Sequence, residues 1–189
     1  MEPLGKIFGS PARLKVLRLF LFNQDEAFPF AEIVRRTKLS SATVRREVND
    51  LVSSGLIRKK GAHRTARYHV NQRFEHLTAL NLFIRETTSV YPKKVVGSLK
   101  RAGTPRLIAL SGIFTGAVES PVDLLVVGDT LDERTLQGAV RELEAQLGRE
   151  IRYASFATPD FRYRLGIYDR LLRDVFDYPH RLLIDRIGV

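Results

Sequence analysis

The chain of 189 residues contains no cysteine. That absence excludes disulfide stapling, thiolate metal sites and a cysteine nucleophile together. No apolar run approaches the roughly 20 residues that a membrane-spanning helix needs. Met1 to Phe20 lacks the basic start, apolar middle and small-residue cleavage site of a secretory signal. Neither half repeats the other and no segment is of low complexity. These absences predict a soluble, cytoplasmic protein with no membrane partner. His63 and His69 stand without a second group at ligand spacing, so no metal site and no cofactor are expected.

Apolar residues make up 44% and charged residues 28%, enough for a real core in one large domain or two small ones. Lys plus Arg is 31 against 21 Asp plus Glu, a net charge of +10. Residues 1–100 hold 19 of the cations and 8 of the acids, while residues 101–189 hold 12 and 13. The excess charge therefore sits in the first half. This segregation points to a polyanionic partner for that half and a different task for the second.

Ser10-Pro11 opens the first clear helix, since Ser caps and Pro suits the first helical position. Leu14, Leu17, Phe20 and Leu21 recur on one face, and Asn23-Gln24-Asp25 stops it. A shorter helix is expected from about Pro29 to Thr37, with Ile33 and Val34 inward. Leu39-Ser40-Ser41 is a turn ending in a cap, and the next helix runs to about Ser54. Its inward stripe is Val44, Val48, Leu51 and Val52, and Gly55 ends it. Leu56 to Lys60 and Ala66 to Val70 read as paired strands around a polar turn, Gly61 to Thr65. Phe74 to about Thr87 is amphipathic, and Thr88 to Pro92 reads as a linker between domains 1–90 and 91–189.

Three helices followed by a hairpin with a basic tip is the order of a winged helix-turn-helix. The stretch from Phe8 to Val70 resembles small bacterial and archaeal repressors of the arsenic-sensor and multiple-antibiotic-resistance type. The resemblance is carried by SPARLKVLRLF, then LSSATVRREVNDLVSSGLIRKK, then RTARYHVN. It implies a recognition helix for the major groove and a wing tip reaching the minor groove or the backbone. A helical wheel agrees: Val48 and Leu51 fall within about 40° of Val44, while Arg46 and Asn49 point nearly opposite. Thr43 and Arg45 flank them. Arg pairs with guanine edges and Asn with adenine edges, so these four side chains are expected to read the groove. Ser40 caps the helix and leaves Ser41 near a phosphate. His63, Arg64 and Arg67 belong to the wing, and Lys59 and Lys60 are expected on phosphates. The expected partner is double-stranded DNA. Because one helix reads few base pairs, a homodimer is expected, with the Phe74–Thr87 helix as its contact element through Leu77, Leu80, Leu82, Phe83 and Ile84.

In the second half, strands are expected at Arg106–Leu110, Val122–Val127 and Ile151–Phe156, with a last short one at Arg181–Ile184. Helices are expected at about Lys94–Ala102, at Asp132–Leu147 and at Pro159–Phe176, the last broken near Gly166. From Pro105 to Arg186 the chain resembles the minimal nucleotidyltransferase domain of the polymerase-beta superfamily. The residues that carry this are RLIALSGIFTGAVESPVDLLVVGD, DERTLQGAVRELEAQLGREI and YASFATPDFRYRLG. The fold class expected is α+β: an N-terminal winged helix-turn-helix and a small C-terminal α/β nucleotidyltransferase-like domain.

That family needs a Gly-Ser turn for the triphosphate and three carboxylates for two Mg²⁺. Here the turn appears as Ser111-Gly112, and Pro121 and Asp123 stand where two acids one residue apart belong. The later strand carries Arg152 and no acid. A single carboxylate beside an Arg is a poor site for two divalent cations. No catalytic residue is therefore expected. Ser111, Gly112 and Asp123 are at most a nucleotide-binding remnant, so a nucleotide or small-molecule effector stays open. Two alternatives also stay open: an active nucleotidyltransferase with a nucleic-acid-binding domain, and an antitoxin-like partner binder.

Overall fold

The computed structural model describes residues 3–62, 65–88, 92–117 and 119–189. The chain divides into two compact units, Met1–Ser89 with Glu142–Glu150, and Val90–Arg141 with Ile151–Val189. The architecture is mixed α/β, and among the described residues no helix is long and apolar enough to cross a membrane.

The first unit runs α1 (Pro3–Ile7), α2 (Pro11–Phe22), β1 (Phe28–Pro29), α3 (Phe30–Thr37), α4 (Ser41–Ser53), β2 (Ile57–Lys60), β3 (Arg67–Val70) and α5 (Leu77–Thr87). Ser10 starts α2 as expected, its side chain accepting from the N–H groups of Ala12 and Arg13. Leu14, Val16, Leu17, Leu19, Phe20 and Leu21 are all buried. The sequence pattern showed one apolar face, yet α2 is covered on several, because α1, α3, α4 and α5 all pack on it.

α4 starts at the Ser40 cap, whose side chain accepts from Thr43 N–H, and ends before Gly55 at φ +81. That left-handed backbone turns the chain directly into β2. The hairpin register pairs Ile57 with Val70 and Lys60 with Arg67. β1 pairs Phe28 with Tyr68, making the sheet order β1-β3-β2. Two residues are too few to show a strand periodicity, and Pro29 leads at once into α3, so β1 was not expected. Neither was α1. α5 begins at Leu77 rather than Phe74, because Asn71 and Phe74 carbonyls instead accept turn bonds from Phe74 and Leu77.

The second unit holds α6 (Pro92–Leu99), β4 (Pro105–Leu110), β5 (Leu124–Gly128), the first part of α7 (Glu133–Leu147), β6 (Tyr153–Phe156), α8 (Thr158–Gly166), α9 (Arg170–Asp177) and β7 (Arg181–Asp185). Its sheet order is β6-β5-β4-β7, with β5 and β6 parallel and the other pairs antiparallel. β5 is interior and every one of its residues is buried, which accounts for its unbroken apolar run. Leu107, Leu125, Val127, Phe161, Leu172 and Val175 pack into one cluster. The break expected near Gly166 is present: α8 ends there, and Asp169 caps α9 by accepting from Leu171 and Leu172.

Candidate nucleic-acid interface

α4 sorts its side chains by register. Val44, Glu47, Val48 and Leu51 are buried, whereas Ser41, Arg45, Arg46 and Asn49 are exposed. Thr43 is half-buried, its hydroxyl 2.8 Å from the Ser40 hydroxyl, so it belongs partly to the cap. The Arg45 guanidinium lies over the Phe30 ring, 5.1 Å from its centroid. The Arg46 side chain is 67% exposed, and its Nη2 donates to Glu47 Oε1 at 3.0 Å.

Glu47 is a residue that reasoning from sequence missed. It is 1% exposed, and its Oε2 accepts from Arg13 Nε at 3.0 Å. Arg13 also pairs with Asp50. Burial opposes the charged form of Glu47, but hydrogen bonds from Arg46 and Arg13 outweigh it and hold the carboxyl below its usual range. A signal was present in the sequence: on the wheel Glu47 lies about 60° from Val44, on the inward side.

Between α4 and the hairpin lies a groove of about 760 Å³, whose lining includes Phe30, Arg45, Val48, Asn49, Lys59 and Tyr68. Arg58, Lys59 and Lys60 are exposed along β2. Arg67 is exposed on β3 but donates to the Ala27 carbonyl at 3.1 Å, which ties it toward β1. His63 and Arg64 lie outside the described residues. The arginines of α3 are engaged with acids, Arg35 with Glu32 and Arg36 with Glu26. The exposed cations of this unit include Arg45 and Arg46 on α4 and Arg58, Lys59 and Lys60 on β2.

In the second unit, Ser111, Gly112 and Asp123 do come together. Ser111 is buried and donates to Ser120 at 3.0 Å, which donates to the Val122 carbonyl at 2.8 Å. Asp123 accepts from Ile113 N–H at 2.9 Å and from Arg152 N–H at 2.8 Å. It also accepts from Arg152 Nε at 3.1 Å and Nη2 at 2.9 Å. Asp123 in turn raises the Arg152 guanidinium above its ordinary pKa by hydrogen bonding. Gly112 has φ +51, and a Cβ there would fall 2.0 Å from Asp123 Oδ1, so only glycine admits the carboxylate.

Two further turn donors face inward, Phe114 N–H to the Ser111 carbonyl and Thr115 N–H to the Gly112 carbonyl. A pair of divalent cations does not fit this arrangement, because the one carboxylate already has four donors. Among the described residues no group of three or more His, Asp or Glu is gathered for a metal.

Residues 8–60, from just before α2 to the end of β2, match a family model described as a helix-turn-helix domain. No curated protein and no solved structure matches the chain. The first unit carries a helix-turn-helix region, which supports a DNA-binding regulator.

Proposed function

We propose that the chain is a cytoplasmic, sequence-specific transcriptional regulator that binds double-stranded DNA as a homodimer. α4 enters the major groove with Thr43, Arg45, Arg46 and Asn49, Ser41 lies at a phosphate, and β2 sets Lys59 and Lys60 on the backbone. Arg67, with the wing-tip residues His63 and Arg64, serves the adjoining groove. The observation that carries this reading is the solvent face of α4, which presents Ser41, Arg45, Arg46 and Asn49 beside the exposed Arg58, Lys59 and Lys60 of β2. A helix fits the major groove, and cations along its flank give the salt-dependent part of affinity. The helix-turn-helix match to residues 8–60 supports it.

The second unit serves as a nucleotidyltransferase-like effector or assembly domain without catalysis. Asp123 supports this reading because its carboxylate is occupied from within the chain. Incubation with labelled nucleoside triphosphates and Mg²⁺ should yield no transfer; transfer abolished by Asp123→Asn would establish an enzyme instead.

The regulator reading is tested by selecting duplexes from a random library. The selected and scrambled duplexes are then titrated at several salt concentrations. Selection of a shared sequence, bound at least about a hundredfold more tightly than the scrambled one, is expected. Equal affinity for both, or a preference for RNA, would overturn it.

A further inference from the structure

A buried carboxylate next to two exposed arginines on α4 requires a physical account, since burying an ion is unfavourable unless it is paired. Each oxygen of Glu47 has its own guanidinium donor, Arg13 Nε on Oε2 and Arg46 Nη2 on Oε1. Arg13 comes from α2, the helix at the centre of the first unit, and also reaches Asp50. The carboxylate is thus anchored from the scaffold side, and its free edge is aimed at an arginine on the exposed face.

We propose, building on the DNA-binding reading above, that Glu47 is a positioning residue that fixes Arg46 to read a guanine. Asn49 then reads a neighbouring adenine, and Arg45 with Lys59 holds the sugar-phosphate strand. A guanidinium has five N–H donors; Glu47 takes one, and the O6 and N7 of guanine need two. An arginine already held on one edge has less rotamer freedom to lose on binding than a free one. Arg45 has a different setting: it stacks on Phe30 in a groove that Lys59, Val48 and Tyr68 also line. Two cations lining one groove suit a backbone strand rather than a base edge.

Arg46 and Asn49 are three residues apart, about 4.5 Å along the helix axis. That is between one and two base-pair steps of about 3.4 Å. The half-site should therefore contain a G·C pair with an A·T pair one or two steps away.

The test uses the full chain and the duplex selected above, with each base pair replaced in turn. Wild-type protein should discriminate against loss of the guanine by roughly tenfold or more, within the range for a bidentate pair. Glu47→Gln should cut that discrimination severalfold while keeping discrimination at the adenine. Asn49→Ala should do the reverse, and Arg45→Ala should weaken all duplexes alike. Should Glu47→Gln melt early, Arg13→Lys loosens the same anchor and is expected to give the same loss at the guanine. Unchanged guanine discrimination in a folded Glu47→Gln or Arg13→Lys variant overturns the inference and leaves the DNA-binding reading intact. Absence of sequence-selective duplex binding by the wild type overturns both.

Discussion

Asp123 and Arg152 form a two-pronged pair in which one partner is buried and the other is half in water. Nη2 meets Oδ1 at 2.9 Å and Nε meets Oδ2 at 3.1 Å, with side chains 1% and 50% exposed. The main chain repeats the link, Asp123 N–H donating to the Arg152 carbonyl at 2.7 Å. The pair stands just ahead of the parallel strands β5 and β6 and ties their first residues together. The carboxylate thereby acts as a staple rather than as a site open to ligand.

Removing that staple should cost stability. Asp123→Ala leaves the Ile113 and Arg152 N–H groups without their acceptor, at about 1–3 kcal/mol for each such group. Urea unfolding monitored by circular dichroism measures it. Added Mg²⁺ should leave wild-type melting where it is, since a cation that bound the native state would raise it. An unchanged midpoint in Asp123→Ala would count against the staple.

Gly112→Ala should be destabilising through its positive φ and through collision with Asp123 Oδ1. The collision vanishes when Asp123 is also truncated. The two losses should therefore fail to add in Gly112→Ala/Asp123→Ala, with a favourable coupling of about 0.5–3 kcal/mol in a double-mutant cycle. Simple additivity would place the whole cost in the backbone.

Glu47 makes stability depend on acid in a defined direction. Its folded carboxyl titrates below the ordinary 4.5, so its contribution is full above that pH and is lost as pH falls through the folded value. The groups facing it are Ser10 and Arg13 from the α2 side and Arg46 on α4, and Arg13 is shared with Asp50. The stability difference between wild type and Glu47→Gln should shrink as chemical unfolding is repeated from neutral pH down into the acid range. A constant difference would mean that the carboxylate is not held in its charged form.

Lys59 and Lys60 are exposed on β2 with no acid placed opposite them, their cross-strand neighbours being Tyr68 and Arg67. Replacing both by Ala should flatten the salt dependence of DNA affinity by roughly two counterions. Titrations across a series of KCl concentrations give the slope. An unaltered slope would move the backbone contacts elsewhere.

Dimerisation should depend on α5. Leu82 and Phe83 are 56% and 42% exposed, and the Phe83 ring lies against Phe8. A charge at Leu82 would be buried without a partner in such an interface, so Leu82→Glu should give a monomer by light scattering. A dimer that survives the substitution would place the contact elsewhere.

The elements of both units were largely readable from local chemistry. Ser10 and Ser40 capped and Gly55 stopped where their backbone preferences direct, and the apolar stripe of α4 showed its 3.6-residue period. β1 escaped because it exists only through its pairing with Tyr68, a partner forty residues away. The same distinction holds at the candidate interface. Arg45, Arg46 and Asn49 were identifiable from the wheel, but nothing local separates two adjacent arginines.

By itself, then, the order of residues determined the Ser10 and Ser40 helix starts, the apolar stripe of α4 and the gathering of cations in the first half. The first two follow from interactions within a few positions and the last from composition. Tertiary structure alone decided that Arg13 anchors Glu47 behind Arg46, that Arg45 rests on Phe30, and that Asp123 is closed by Arg152. Such pairings need side chains far apart in sequence to meet at hydrogen-bond distance, and only the packed chain brings Arg13 to Glu47 or Asp123 to Arg152.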